Sequence, residues 1–215
     1  MIQPAVLAQI CADAYAPEPA GFDQVWDFAG CHACARKVGE VDVIAFRGSL
    51  DVLDWLRDVE AFPLWDYRVG FVHGGFMIGV NDVLSAVAVH CGPRIVVTGH
   101  SLGGARARIL AALLAYSGRP VEQCTVFGSP RPGGDGLARV LQKSGTPLAS
   151  YRNCTDPVPL VPFMGGLYEH PDKWISLDSH AAPNDLEPLR NHHMTRYLDG
   201  LAKLYPDDVL TITAP

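Results

Sequence analysis

The 215-residue chain contains no run of about 18 apolar residues, so no transmembrane helix is expected. Basic charge does not gather. There are 17 Lys and Arg against 23 Asp and Glu, a formal net charge of -6. A phosphate-binding face needs clustered cations, which argues against nucleic acid as a partner. Met1-Ile2-Gln3-Pro4-Ala5-Val6-Leu7 carries no Lys or Arg and lacks the basic start of a secretion signal. It reads as a first helix from about Pro4 to Tyr15; the mature start of an exported protein reads the same way, so the location stays open between the two, with the cytoplasm slightly favoured. No internal repeat, low-complexity tract or long linker occurs. Cys11, Cys31, Cys34, Cys91, Cys124 and Cys154 follow no disulfide pattern and read as buried free thiols. Cys31-His32-Ala33-Cys34 lacks a second Cys/His pair at finger spacing. It also lies in a strand-like segment, where neighbours point to opposite faces, so no metal is expected.

The composition, 48% hydrophobic and 19% charged, is that of a globular enzyme, and the length fits one α/β domain over residues 1–215. Strand signals fall at Trp26–Ala29, Cys31–Lys37 and Val41–Phe46, the last two as a hairpin. An amphipathic helix is predicted over Leu50–Phe62. A longer one over Phe76–Cys91 is closed by Gly92-Pro93. The strand Arg94–Thr98 leads into a helix over Ala105–Tyr116. After it come a strand at Val121–Phe127, a helix at Gly136–Lys143 and strands at Leu148–Asn153 and Lys173–Leu177. A loop over 178–190 precedes a last helix, His192–Leu204. This alternation implies an α/β fold with a mixed, mostly parallel central sheet flanked by helices.

Gly99-His100-Ser101-Leu102-Gly103 reads G-x-S-x-G between that strand and helix, the context of a nucleophile elbow. Gly99 and Gly103 let strand and helix cross closely, and the helix N-terminus favours a developing oxyanion. A serine nucleophile needs a base, and the base needs an acid to orient it, in chain order Ser, Asp or Glu, His. Asp156 follows the strand Leu148–Asn153 and so lies at the sheet edge where active sites gather. It also fits an Asp-Pro turn, and Asp172, Asp178 and Asp185 are weaker candidates. Among eight histidines, His192 and His193 open the final helix after a loop and are the candidate bases, with His170 behind them. His100 is expected to pack under the turn, and His73, His90 and His180 to be ordinary core or surface residues. The oxyanion donors are expected from the N–H of Leu102 and from Phe46-Arg47-Gly48-Ser49, where Ser49 also suits a helix N-cap.

Together these blocks resemble the class 3 lipase family. Val43–Ser49 followed by Asp54-Trp55-Leu56 is similar to that family's oxyanion strand and helix, and Val72-His73-Gly74-Gly75-Phe76 to its His-x-Gly-Phe entry. Val97–Ala105 resembles its elbow, Phe127–Gly133 its Gly-x-Pro-Arg turn, and Asn153–Pro159 its acid loop. His192–Tyr197 resembles its His-x-Met helix start. The resemblance implies an α/β-hydrolase fold and a serine esterase or lipase cleaving acylglycerols or related lipid esters through an acyl-enzyme. Ser101 would be nucleophile, Asp156 acid and His192 base, with Ser49 and Leu102 at the oxyanion hole. No cofactor is implied. The partner would be a lipid or other ester substrate, met at a transient lipid interface. Trp55, Phe163 and Leu167 are expected to touch substrate. Leu50–Trp65 is read either as a covering lid or as an ordinary amphipathic helix on the sheet. Phospholipase A1, soluble-substrate esterase and non-catalytic binding protein are the alternatives. Arg106 and Arg108 depart from the family's apolar or small residues in the nucleophile helix, which implies that they meet solvent or an internal acid.

Overall fold

Two runs of six consecutive buried residues form the centre of the molecule: strands β3 (Val41–Phe46) and β6 (Ile95–His100). Burial on both faces is what a parallel strand between helix layers requires, and it explains the apolar runs. The computed structural model describes residues 1–49, 62–163, 166–179 and 188–207. Around the central pair lie β1 (Gln24–Phe28), β2 (Cys31–Val38), β7 (Gln123–Phe127), β8 (Leu148–Asn153) and β9 (Trp174–Leu177). The seven-stranded sheet runs in the order β1-β2-β3-β6-β7-β8-β9. β1, β2 and β3 pair antiparallel, and every pair from β3 to β9 is parallel. The expected mixed sheet is present. Among the described residues no helix is long and apolar enough to cross a membrane.

The two-residue period of each strand splits the core in two. On one face Ile44, Phe46, Ile95 and Val97 pack against helix α3 (Val80–His90) and helix α4 (Leu102–Tyr116). On the other, Val43, Ala45 and Val96 pack with Leu7 and Ile10 of α1 (Pro4–Asp13) and with Tyr197 and Leu201 of α6 (Met194–Leu204). Cys31 belongs to the first core and Cys34 to the second, so the two thiols are separated by the sheet.

The expected helix over Phe76–Cys91 is two pieces, α2 (Gly74–Met77) and α3, broken at Ile78-Gly79. Gly79 has φ +75°, and a Cβ there would stand 2.3 Å from the Phe28 carbonyl oxygen and 2.4 Å from Cys31 Cβ. The turn joining β1 and β2 therefore presses on this point and allows neither a side chain nor a straight helix. A hairpin of β4 (Pro63–Asp66) and β5 (Gly70–His73) stands where the sequence pattern predicts no strand. Its turn is closed by Arg68 N–H donating to Asp66 Oδ1 at 2.8 Å. Helix α5 (Asp135–Ser144) matches its prediction closely. The last helix starts at Met194, two residues later than expected, because Pro188–His192 forms a 3-10 turn and His193 caps the helix. The amphipathic helix predicted from Leu50 falls, up to residue 61, outside the described residues. Phe62 and Trp65 are each 63% exposed, and Trp65 lies on β4 rather than on a helix.

Helix α4 is buried from Leu102 to Leu114, which places both arginines of its first turns inside. Arg106 donates to the Gly30 carbonyl at 3.0 Å, and burial lowers its pKa from the usual range. Arg108, 1% exposed, pairs with Asp172 at 2.7 Å and donates to Ser150 Oγ at 2.6 Å. The internal acid is thus Asp172, on the loop before β9. Removing one partner of a buried pair strands the other charge, and Arg108 is the deeper of the two. Asp172→Ala is expected to cost about 3 kcal/mol in urea unfolding, and Arg108→Met less. The reverse order would contradict this account of the pair.

Candidate active site

The C-terminal ends of the parallel strands share one edge of the sheet. Arg47–Ser49 follow β3, Ser101 follows β6, Gly128 follows β7 and Asp156 lies just past β8. Ser101 has φ +59° and ψ -134°, a left-handed backbone that non-glycine residues rarely adopt. Its N–H donates to the Phe127 carbonyl at 3.0 Å, holding the reversal against β7. A Cβ on Gly99 would stand 2.3 Å from the Gly103 carbonyl oxygen, and one on Gly103 would stand 2.2 Å from that of Phe46. Strand, turn and helix are thus in backbone contact, and both glycines are required by space. Such a turn presents the serine at the N-terminus of α4, where the first N–H groups lack intrahelical acceptors.

Leu102 is the first residue of that helix and is buried. Ser49 is half-buried and follows Gly48, whose Cβ would lie 2.9 Å from Ser101 Cβ. The register Phe46↔Gly99 brings this loop beside the elbow. Both expected oxyanion residues therefore flank Ser101.

Asp156 and His192 meet in the interior, 0% and 2% exposed. His192 Nδ1 lies 2.7 Å from Asp156 Oδ2, and since a carboxylate oxygen accepts, Nδ1 carries the proton. Asp156 Oδ1 accepts the Val158 N–H at 2.9 Å. Tyr197, from α6, donates its hydroxyl to the same Oδ2. Burial and the adjacent carboxylate hold the Tyr197 hydroxyl protonated, with its pKa well above the usual range. A Cβ on Gly128 would come within 2.8 Å of Tyr197 Oη, 2.9 Å of Asp156 Oδ2 and 3.0 Å of His192 Cε1, so Gly128 forms the floor. Asn153 Nδ2 donates to the Asn191 carbonyl at 3.0 Å, and Asn191 Nδ2 to Thr155 Oγ1 at 2.9 Å. These two bonds tie the loop bearing Asp156 to the turn bearing His192.

His192 Nε2 and Ser101 Oγ are both buried, and neither has a hydrogen-bond partner among the described residues. Geometry of this kind commonly tightens only when substrate is bound. His193, the competing histidine, is exposed at the helix cap. His170 instead places Nε2 2.7 Å from the Pro159 carbonyl oxygen.

The expected substrate contacts fare differently. Phe163 is 80% exposed with the Arg131 guanidinium 5.6 Å from its ring centre, Leu167 is half-buried, and Trp55 lies outside the described residues. Tyr197, Gly128 and Tyr15 are site residues to which the sequence motifs assign no role. The Tyr at the end of the His192–Tyr197 block was a usable signal for the first. Nothing in sequence links Tyr15 to the site.

An elbow serine and a buried carboxylate–imidazole pair, both on loops at the C-terminal edge of a mixed sheet with helices on both faces, define the α/β-hydrolase class. The chain belongs to the class 3 lipase family, whose profile, described as Lipase (class 3), matches residues 43–166. It is 36% identical over 161 residues to the secreted mono- and diacylglycerol lipase 1 of Fusarium solani, covering 68% of this chain and 47% of that protein. The structure of mono- and diacylglycerol lipase from Aspergillus oryzae superposes with a TM-score of 0.69 at 21% identity, over 87% of this chain and 82% of that one. The Rhizomucor miehei lipase propeptide complex gives 0.67 at 21% identity, over 80% and 66%. The chain spans about half the length of the sequence relatives it matches.

His100, next to the nucleophile position, is buried, and desolvation followed by the neighbouring His192 holds its pKa well below the ordinary value. It is therefore neutral when folded but takes a proton near about pH 6.5 when unfolded. Its contribution is whole above that pH and is lost as pH falls below it. His170, also depressed by burial, acts in the same direction. Unfolding free energy is expected to fall on acidification below about pH 6.5, and His100→Asn to flatten that slope by up to about 1.4 kcal/mol per pH unit. Urea titrations at stepped pH check this, and an unchanged slope would show that His100 is not buried neutral.

Proposed function

We propose that this chain is a serine carboxylic-ester hydrolase acting on acylglycerols or related lipid esters, with residues 1–215 working as one domain. Ser101 is the nucleophile, His192 the general base, Asp156 the acid, and the N–H groups of Ser49 and Leu102 the oxyanion donors. The single observation that carries this is the buried Asp156–His192 hydrogen bond of 2.7 Å at the edge where Ser101 turns out of β6. With its proton on Nδ1, His192 has a lone pair on Nε2 to take the Ser101 hydroxyl proton as the oxygen attacks the ester carbonyl carbon. The carbonyl oxygen becomes an oxyanion at the start of α4, where free N–H groups and the helix dipole favour negative charge. The ester C–O bond then breaks, and the imidazolium returns its proton to the departing alkoxide. Water, deprotonated by the same imidazole, attacks the acyl carbon; the bond from that carbon to Ser101 Oγ breaks, the imidazolium returns the proton to Oγ, and the fatty acid leaves.

A lipid ester is favoured over other esters by the mono- and diacylglycerol lipases among the relatives. Those relatives are named as secreted, which fits an exported protein better than the cytoplasmic location expected from sequence. Phe163 and Leu167, on the loop after Asp156, are proposed to meet the acyl or alcohol part of the substrate.

A fluorophosphonate probe is expected to label the wild type and not Ser101→Ala. Asp156→Asn is expected to lower kcat on a monoacylglycerol by a factor on the order of 10⁴, because the imidazole loses its oriented tautomer. Equal labelling of Ser101→Ala, or full rate in Asp156→Asn, would overturn the assignment. A panel of monoacylglycerol, phospholipid and soluble short-chain ester tests the substrate class. A phospholipid turned over faster than the glyceride would refute the acylglycerol preference.

A further inference from the structure

His100 and Tyr15 take no part in the chemistry above, yet both are built into the site. His100 Nε2 lies 2.7 Å from the carbonyl oxygen of His192. A carbonyl only accepts, so Nε2 is the protonated nitrogen and Nδ1 carries the lone pair. Tyr15 Oη stands 2.8 Å from that Nδ1, and its hydroxyl is therefore the donor. The Tyr15 oxygen also packs against the Gly48 backbone. Each hydrogen bond dictates the direction of the next. The hydrogen bonds run from Tyr15 O–H to His100 Nδ1 and from His100 Nε2–H to the His192 carbonyl, with the Tyr15 oxygen against Gly48. Together these contacts join the loop carrying Ser49 to the residue proposed as base, through an N-terminal segment far away in sequence. The His100 ring also stacks on that of His192, with centroids 4.6 Å apart and planes 29° from parallel. A Cβ at Gly48 would fall 2.3 Å from the Tyr15 oxygen and 2.7 Å from the His100 carbonyl oxygen, so the contact leaves no room for a side chain.

We propose that Tyr15 and His100 form a directed hydrogen-bond relay that sets the position of the His192 imidazole and of the Gly48-Ser49 backbone together, making them positioning residues for ester hydrolysis. The proposal rests on the hydrolase reading above. The physical argument is one of precision. The base and the oxyanion donors lie on different loops, and their mutual placement must hold to a fraction of an ångström for both to act on one carbonyl. A relay that spans both loops fixes that separation. It also leaves a neutral ring, with both nitrogens occupied, against the face of His192 while His192 is transiently an imidazolium. A second cation there would oppose proton transfer.

Tyr15→Phe keeps the ring and removes only the hydroxyl. It is expected to lower kcat and the rate of fluorophosphonate labelling about tenfold, with KM within twofold of wild type. His100→Ala is expected to lose at least as much, and His100→Gln, whose amide N–H takes the place of Nε2–H, to recover part of it. In the His100→Ala background, Tyr15→Phe is expected to add nothing. Nitrogen-15 spectra of histidine-labelled wild type are expected to show His100 as the Nε2–H tautomer. Wild-type labelling by Tyr15→Phe, losses that multiply in the double variant, or an Nδ1–H tautomer would each overturn the relay. Should His100→Ala not fold, Tyr15→Phe and the spectrum decide alone. Should neither wild type nor Tyr15→Phe label, the hydrolase reading fails instead, and the tautomer alone judges the relay.

Discussion

The backbone crossing of β6 and α4 at Ser101 is the constraint on which the rest of the structure depends. Gly99, Gly103 and Phe46 bring three stretches of main chain into contact, and Ser101 is held at φ +59° between them. A non-glycine residue in that conformation costs on the order of 1–3 kcal/mol, and it persists only where its surroundings over-determine it. Here they do so from three sides, through the Ser101 N–H to Phe127, the Gly103 contact with β3, and Gly104 packed against Ser129. The same close approach drives α4 into the core. That is why a helix with two arginines in its first turns is nonetheless buried, and why those arginines need Gly30 and Asp172 as partners.

Around this rigid point the other site residues are placed by loops tied to each other. His192 is not part of α6. It ends a short 3-10 turn and would be free to wander without the Asn153–Asn191 and Asn191–Thr155 bonds. Asp156 has both carboxylate oxygens engaged, by Val158, His192 and Tyr197, so the carboxylate cannot rotate away from the imidazole. The bonds that orient the pair are therefore nearly all made by residues that do not touch the reacting position. Polar groups of this kind are costly to bury unless all are satisfied, which makes the network a source of geometric precision as well as a demand on stability.

Where periodicity and turn chemistry are strong, the pattern of the chain and its structure agree. The β2–β3 hairpin, the Leu148–Asn153 strand, the elbow and α5 all lie within a residue or two of their predicted bounds. The misses have local causes. A helical pattern from Phe76 to Cys91 concealed the break at Gly79, since the pressure that forces it comes from the β1–β2 turn, some fifty residues earlier. The β4–β5 hairpin strands are four residues each and one begins with Pro63, too short for alternation to register. His192 and His193 were separable only through the family resemblance. In space they differ plainly, one buried on Asp156 and the other exposed.

By itself the amino-acid order determined the alternation of strand and helix, the position of the nucleophile turn and the identity of the elbow serine. Each of these is set by neighbours within a few residues, through side-chain period, glycine tolerance and capping. Only the tertiary structure decided which carboxylate meets which imidazole, that Tyr197 braces that pair, and that Tyr15 reaches His100 from the first helix. Those pairings join residues 36 to 85 positions apart. Contacts at such separations are fixed by how the sheet stacks its strand ends along one edge, a property no local stretch of sequence contains.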